Sequence, residues 1–512
     1  MVSKIYTVGL MGIEGFIVDV EADVSNGLPS FDVIGLPDAA IKEAKERAKS
    51  AIKNSRFVFP AKHITINLAP AATRKEGSAY DLPIALSLLS GTGQINIKDN
   101  DKTVFMGEVS LDGTVNAVRG ILPMVIFAYK NGFNKAFVPA ENADEAAVID
   151  GMEIYPVKSL KDIVNHFSGE KPILSHNVSI DEIFAGMSTQ GVDFADVKGQ
   201  ENVKRALEIA AAGNHNIILI GSPGTGKTML AQRMPGILPD LTFEESLETT
   251  KIHSIAGTLT KETPLVTKRP FRSPHHTISA VGLSGGSSVP RPGELSLAHN
   301  GILFLDELPE FRRDVLEVLR QPLEDGRVTI SRANATLSYP CNIMLIASMN
   351  PCKCGYFGDM TRQCTCTPKQ VHSYRQKISG PLLDRIDIQV EVASVKYEEL
   401  SDSTRGETSA EIKKRVNRAR KVQIERYKDY PDIYSNSQLT PAMIQEFCKL
   451  GENESAILKA AFENLNLSAR AHSRILKVAR TIADLEQSEN ITTAHIAEAI
   501  GYRSLDRKFF DL

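Results

Sequence analysis

The chain has 512 residues, a formal net charge of −3, and a composition that is 42% hydrophobic and 24% charged. A chain of this length is too long to fold around one ordinary hydrophobic core, so we expect two or three domains. The charge gives no global basic signature for nucleic acid, although basic groups can be confined to a narrow channel. The N-terminus lacks signal-peptide features, and no apolar run approaches the roughly 20 residues that span a bilayer. We therefore expect a cytoplasmic protein without a membrane segment.

Residues 1–167 mix short strands with helices, which indicates an α+β domain. Alternating apolar residues at Ile64, Ile66 and Leu68 predict a half-buried strand. Asp38 is placed to cap a helix that carries an apolar stripe on one face. The stripe consists of Ile41, Ala44, Ala48 and Ile52. The polar, weakly periodic stretch that follows predicts a linker at 168–191.

Residues 192–396 alternate apolar strands, glycine-rich loops and helices, as an α/β domain does. The apolar strand at 216–220 leads directly into the phosphate-binding pattern G-x-x-x-x-G-K-[ST], and a helix follows. The matching residues are Gly221, Ser222, Pro223, Gly224, Thr225, Gly226, Lys227 and Thr228. Backbone N–H groups of such a loop surround phosphate oxygens, Lys227 contacts the β- and γ-phosphates, and Thr228 ligates Mg²⁺. The pattern predicts a site for ATP and Mg²⁺.

A second apolar strand, at 302–305, ends in two adjacent acids. Asp306 is placed to hold Mg²⁺, and Glu307 is then free to act as general base on the attacking water. Charged carboxylates at the end of a buried strand are costly without a cation, which favours this interpretation over a solvated strand end. A third strand, at 342–348, leads to Asn350, whose amide is placed to orient the water.

Two insertions follow from the pattern between 327 and 366. The β-prone stretches 328–332 and 336–339 predict a hairpin, which includes Arg332 near its tip. Further on, two C-x-C pairs offer four thiols that can surround one Zn²⁺ tetrahedrally. These are Cys352, Cys354, Cys364 and Cys366. Because C-x-C is tighter than the usual C-x₂-C, four unligated cysteines remain the alternative.

The quoted motifs resemble the AAA+ superfamily and, more narrowly, the ComM/YifB family of magnesium-chelatase-like ATPases. The strings that carry the resemblance lie at 271–279, 291–295, 347–352, 380–387, 467–470 and 478–485. The resemblance implies an α/β AAA+ P-loop domain with a C-terminal helical lid at 397–512. It also implies an N-terminal α+β domain like Lon protease, with the ribosomal S5 domain 2-like fold.

The resemblance assigns roles to individual side chains. Asn350 looks like sensor 1, Arg385 like an arginine finger that reaches a neighbouring subunit, and Arg470 like sensor 2 of the lid. A finger acting in trans implies a homo-hexameric ring. In related AAA+ motors, hairpins at this position project into the central pore. The resemblance therefore predicts that Arg332, near the tip of the hairpin, contacts DNA phosphates. Ordinary salt bridges, and a hairpin that only packs, remain the alternatives.

The N-terminal stretches 64–81 and 107–120 resemble the catalytic part of Lon-type proteases. A Ser–Lys dyad is needed for peptide cleavage in that family. The positions that match the dyad are Ala79 and Leu122, so we expect the fold without the protease chemistry.

Two functions from different classes are compatible with the sequence. ComM-like proteins are associated with DNA helicase and branch-migration activity during natural transformation, which implies DNA and recombination proteins as partners. The alternative is a magnesium-chelatase-like or protein-remodelling ATPase. Chelatase motors work with a partner that bears a D-x-S-x-S motif, and this chain has none.

Overall fold

The computed structural model describes residues 2–97, 99–185, 192–260, 262–286, 291–332, 335–359, 362–395, 406–430, 433–465, 467–503 and 505. Sixteen strands occur in these ranges. In chain order they are β1 (Val2–Met11), β2 (Glu14–Ser25), β3 (Ser30–Ile34), β4 (His63–Ala69), β5 (Thr103–Phe105), β6 (Glu108–Val109), β7 (Val115–Asn116), β8 (Lys135–Pro139), β9 (Glu153–Val157), β10 (Ile217–Ile220), β11 (Phe271–Arg272), β12 (Gly301–Leu305), β13 (Arg327–Arg332), β14 (Ala335–Pro340), β15 (Ile343–Met349) and β16 (Ile388–Glu391).

Twenty α-helices occur in the same ranges, and none of them has both the length and the apolar composition needed to cross a membrane. In chain order they are α1 (Ala39–Asn54), α2 (Asp81–Gly91), α3 (Ile121–Lys130), α4 (Ala143–Ala146), α5 (Leu160–Ser168), α6 (Ile180–Ala185), α7 (Glu201–Gly213), α8 (Lys227–Arg233), α9 (Phe243–Ala256), α10 (Ala280–Ser284), α11 (Glu294–Leu297), α12 (Arg313–Val318), α13 (Pro322–Asp325), α14 (Pro368–Arg375), α15 (Gly380–Leu383), α16 (Ser409–Arg426), α17 (Pro441–Phe447), α18 (Glu452–Leu465), α19 (Ala469–Leu485) and α20 (Thr493–Gly501).

The chain divides into two compact units whose boundaries differ from the predicted ones. The first unit combines Met1–Met187 with Phe243–Thr267, and the second combines Ser188–Thr242 with Lys268–Leu512. Helix α9 therefore belongs to the N-terminal unit, although the sequence placed it within the predicted 192–396 domain. Its Ser254 hydroxyl donates a hydrogen bond to the buried Glu145 carboxylate, and the backbone N–H of Gly120 donates to Ser254 O at 3.2 Å.

The first unit is built on a mixed seven-stranded sheet in the order β3-β4-β2-β1-β5-β8-β9. The predicted strand at Ile64, Ile66 and Leu68 is confirmed, since all three side chains are buried in β4. Helix α1 is confirmed as well, because Asp38 Oδ1 accepts from the backbone N–H of Ile41 at 2.8 Å and the predicted apolar stripe is buried. Ala79 and Leu122 are both buried apolar residues, so neither supplies a nucleophile or a base.

The second unit is built on a five-stranded sheet in the order β11-β12-β15-β10-β16, in which all paired strands run parallel. Strands β10, β12 and β15 are buried along their whole length, as continuous apolar runs in a parallel sheet should be. Because the strands are parallel, their carboxyl ends meet at one edge, where ligands bind in open α/β sheets. The predicted hairpin is present as the antiparallel pair β13–β14.

The helices after residue 406 share one apolar core with this sheet. Val416 of α16 and Ile475 of α19 belong to the same buried cluster as Ile217 of β10. The Arg415 guanidinium also pairs with Glu208 of α7. The C-terminal helical region thus packs on the α/β domain rather than standing apart from it.

A buried ion cluster stabilises the helical region. The Asp484 carboxylate is 1% exposed and accepts hydrogen bonds from Arg426 (2.5 and 3.0 Å), Arg480 (3.1 Å) and Asn436 (2.8 Å). Two guanidinium groups therefore depend on one carboxylate, and each hydrogen bond to a charged group is stronger than a neutral one.

We expect Asp484→Ala to destabilise the helical region by about 3–5 kcal/mol, because it leaves the buried Arg480 and the partly buried Arg426 guanidinium groups without their shared carboxylate. Hydrogen exchange of α19 measures this as faster local opening. Glu425→Ala is the matched control, since it removes an exposed partner of Lys428 in the same region and should leave exchange unchanged. Equal protection of α19 in the Asp484 variant and the wild type would contradict the assignment.

Candidate functional site

The loop between β10 and α8 has the shape of a phosphate cradle. Gly224 and Gly226 have φ of +82° and +87°, a conformation that side-chain-bearing residues rarely adopt. At Gly221 a Cβ would lie 2.4 Å from Val392 O, so only glycine fits beside that backbone. The predicted loop therefore needs its glycines where the sequence has them.

Lys227 is the buried cation of this loop. Its Nζ donates hydrogen bonds to Gly221 O at 2.7 Å, Ser222 O at 2.9 Å and Asn350 Oδ1 at 3.2 Å. Burial lowers the pKa of the Lys227 ammonium to about 8, while the charges of Asp306 and Glu307 act in the opposite direction. Within the described ranges its hydrogen-bond partners are neutral oxygens, and a desolvated ammonium in such a setting favours an incoming anion such as phosphate.

The predicted acids lie beside this lysine at the carboxyl end of β12. Thr228 Oγ1 donates to Asp306 Oδ2 at 2.8 Å, which places two oxygens suited to Mg²⁺ together. Glu307 has a φ of +53°, an uncommon conformation for a side-chain-bearing residue and one that clusters at functional sites. Its backbone N–H donates to Asp306 Oδ1 at 3.1 Å and to Ser348 Oγ at 3.2 Å.

Two residues of this site escaped the sequence analysis. Ser348 is fully buried in β15, and its hydroxyl donates to Asp306 Oδ1. A lone hydroxyl in an otherwise apolar strand was the available signal. Asp359 accepts a hydrogen bond from Ser222 Oγ at 2.6 Å, but it lies 137 positions further along the chain, so no local pattern could predict the contact.

The two predicted arginines lie near each other, and their polar contacts among the described residues do not include the lysine or the acids. Arg385 is paired with Glu324 and donates to Pro381 O at 2.8 Å. Arg470 Nη1 lies 3.5 Å from Asp384 Oδ2, next to Arg385 in sequence, and its side chain is exposed. One chain therefore brings Lys227, Thr228, Asp306, Glu307 and Asn350 together but leaves both arginines outside the group.

Arg332 ends β13, where its backbone pairs with Ala335. The hairpin tip at 333–334 and the Arg332 side chain lie outside the described residues. The predicted DNA contact of Arg332 therefore stays a prediction.

The four predicted cysteines come together in space. Their sulfurs all lie within 4.8 Å of one another, and three of the pairs are 3.3, 3.5 and 3.7 Å apart. A tetrahedral Zn²⁺ with bonds of about 2.3 Å needs sulfurs about 3.8 Å apart, so the spacing fits a metal ion. Burial opposes ionisation of the Cys354 thiol, but hydrogen bonds from the backbone N–H groups of Tyr356 and Thr365 and from the Cys352 and Cys364 thiols lower its pKa to about 5.

The fold and this site define an AAA+ domain of the magnesium-chelatase type. The family described as magnesium chelatase, subunit ChlI, matches residues 193–400. The family of subunit ChlI of Mg-chelatase matches 20–142, and that of the ChlI C-terminal region matches 406–503.

Whole-length relatives narrow the assignment. The chain is 41% identical to competence protein ComM of Haemophilus influenzae over 98% of this chain and 97% of that protein. It is 42% identical to the uncharacterized protein YifB of Escherichia coli over 100% and 98% of the two chains. The magnesium-chelatase 38 kDa subunit of Rhodobacter capsulatus is 25% identical over 41% of this chain and 59% of that protein. The chain belongs to the ComM/YifB family of magnesium-chelatase-like AAA+ proteins.

We expect nucleotide affinity to fall as the pH rises through about 8, because only the protonated Lys227 attracts phosphate. The lysine is fully charged well below that pH, and at pH 9 the dissociation constant should be about 10-fold larger than at pH 6.5. Binding of a fluorescent ATP analogue measures the profile. A Lys227→Arg variant should show weaker but nearly pH-independent binding, and a steep wild-type-like profile in that variant would contradict the assignment.

Proposed function

We propose that the chain is an ATPase that converts ATP and water to ADP and phosphate. The observation that carries this proposal is the meeting of Lys227, Asp306 and Asn350 at one sheet edge. The loop 221–228 holds the phosphates, Thr228 and Asp306 hold Mg²⁺, and Mg²⁺ supplies charge stabilisation of the transferred phosphoryl group. Glu307 takes the proton of the attacking water, and Asn350 orients that water.

A homo-hexameric ring accounts for the position of the arginines. Among the described residues, no arginine contacts the group formed by Lys227, Asp306 and Glu307, and in this proposal Arg385 of a neighbouring copy supplies the cation that faces the γ-phosphate. In one chain Arg385 is held by Glu324. That ion pair must open, or be exchanged for phosphate, when copies assemble. Arg470 acts as sensor 2 beside it.

We propose DNA as the substrate of this motor, with helicase or branch-migration activity in recombination during natural transformation. Support comes from the whole-length similarity to a protein named for competence, and from the hairpin β13–β14 that carries Arg332. Such a role places the protein in the cytoplasm with recombination proteins as partners. A basic hairpin in a pore contacts the phosphate backbone without reading sequence.

A chelatase-like or protein-remodelling ATPase is the second candidate. The similarity to the magnesium-chelatase 38 kDa subunit, which is 25% identical over 41% of this chain, favours it. A motor of this kind acts on a partner protein, and DNA then leaves its turnover unchanged.

The cysteine cluster is proposed as a structural zinc site. Four thiolates fill the tetrahedral coordination of Zn²⁺ and leave no open position for substrate, which is typical of structural rather than catalytic zinc. The N-terminal unit is proposed as a Lon-protease-like domain without the catalytic dyad, because Ala79 and Leu122 are buried apolar residues.

ATP turnover with single-stranded, duplex and branched DNA at low salt separates the candidates. We expect at least one DNA to stimulate the wild type. Glu307→Gln should bind ATP with turnover reduced about 10²- to 10⁴-fold, since it removes the general base. Arg385→Ala should also retain ATP binding and lose turnover, by about 10³-fold or more.

Asp314→Asn is the control variant, because Asp314 is an exposed acid paired with Arg312 outside the site. Its turnover should equal that of the wild type. If no DNA binds or changes turnover while an unfolded protein or a chelatase-type partner does, the DNA proposal fails and the second candidate replaces it.

A further inference from the structure

The cysteine loop and the phosphate-binding loop touch at two points. The ring of Pro223 packs on Gly355, where a Cβ would lie 2.5 Å from Pro223 Cδ. Ser222 Oγ donates to Asp359 Oδ2 at 2.6 Å. Both contacts join residues in the first half of the 221–228 loop to residues between Cys352 and Cys364. The two loops lie in the same compact unit.

The cysteine cluster determines where these contacting residues lie. Gly355 follows Cys354 directly, has a φ of +88°, and its backbone N–H donates to Cys352 O at 3.0 Å. Asp359 lies between the two cysteine pairs, and its Oδ1 accepts from the backbone N–H of Arg362 at 3.0 Å. The described part of this segment contains neither helix nor strand. A metal ion held by the four sulfurs would therefore tie both ends of this segment together.

If a loop is already ordered before the nucleotide binds, the entropy cost of ordering it does not weaken binding. Fixing the backbone of one residue costs on the order of 1–2 kcal/mol, so a clamp that pre-orders Ser222 and Pro223 raises affinity for phosphate. Removal of a metal ion from the cluster would free Gly355 and Asp359 to move away from the phosphate-binding loop. The catalytic groups Asp306, Glu307 and Asn350 remain where the sheet places them.

We propose that a metal ion in the cysteine cluster raises nucleotide affinity by holding Gly355 and Asp359 against Pro223 and Ser222 of the phosphate-binding loop. This inference rests on the proposed nucleotide site but not on DNA as the substrate. It assigns Asp359 as a positioning residue, which acts on the nucleotide through Ser222. The metal would then affect nucleotide affinity in addition to stabilising the fold.

The test uses the full chain and measures metal content and nucleotide affinity separately. Zinc is removed with a thiol-competitive chelator, Mg²⁺ is then restored, and the dissociation constant of a fluorescent ATP analogue is determined. We expect about one zinc per chain before treatment and an affinity about 10-fold weaker after it. Addition of Zn²⁺, or of Co²⁺ with its thiolate absorption bands, should restore the affinity.

Asp359→Asn distinguishes the clamp from a general effect on folding. This variant should keep its zinc and its thermal unfolding temperature, yet bind the nucleotide about 3- to 10-fold more weakly, because a hydrogen bond to a charged group is weakened. Its affinity should also respond less to zinc removal than that of the wild type. Cys364→Ser should lose both zinc and affinity, whereas Cys448→Ala removes a buried thiol outside the cluster and should keep both.

Three outcomes would overturn the inference. The first is that the affinity for the nucleotide stays unchanged after the chelator has removed zinc. The second is that the protein contains no metal as purified and its affinity does not increase when Zn²⁺ is added. The third is an Asp359→Asn protein that responds to zinc removal as fully as the wild type. Failure of the metal-loaded wild type to bind any nucleotide is a different result, since it removes the proposed nucleotide site itself.

Discussion

Parallel strands place their carboxyl ends at one edge, and the proposed nucleotide site depends on this constraint. Strand β10 leads into the phosphate-binding loop, β12 ends at the two acids, and β15 ends at Asn350. Since β15 lies between β10 and β12, Lys227 reaches Asn350 and Thr228 reaches Asp306 without any distortion of the sheet. The described residues give the Lys227 ammonium no carboxylate as a hydrogen-bond partner, which leaves its charge available to phosphate.

The sequence predicted those features of the structure that depend on residues close together in the chain. The loop 221–228 needs positive φ at two positions, and glycine occupies both. The hairpin at 327–340 and the helix capped by Asp38 follow from alternation and periodicity over a few residues. The cysteine cluster follows from pairs of thiols close together in sequence.

The parts that the sequence did not predict depend on contacts between distant segments. Residues 243–267 read as part of the ATPase domain, but Ser254 contacts Glu145 and the segment joins the N-terminal unit. No local sequence pattern predicts that Arg385 pairs with Glu324 or that Ser222 contacts Asp359. Amphipathic patterns show that a face is buried, but they do not show against which segment it is buried.

In the proposed phosphate site, the reacting groups and the phosphate-binding loop are held in place by different parts of the structure. The acids and Asn350 belong to strands that are buried along their length, so their positions follow from the sheet. Ser222 and Pro223 belong to a loop whose outer side faces the cysteine segment. The proposed ATPase would need a rigid reaction centre and a binding loop whose affinity can be set separately.

Equilibrium binding of ATP with and without Mg²⁺, in the wild type and in Asp306→Asn, tests the central claim most directly. The account predicts that Mg²⁺ tightens binding to the wild type, and that Asp306→Asn loses most of this gain while it still binds ATP in metal-free buffer. The Asp314→Asn control should behave as the wild type does. Full retention of the Mg²⁺ gain in Asp306→Asn, or absence of ATP binding by the wild type, would contradict the account.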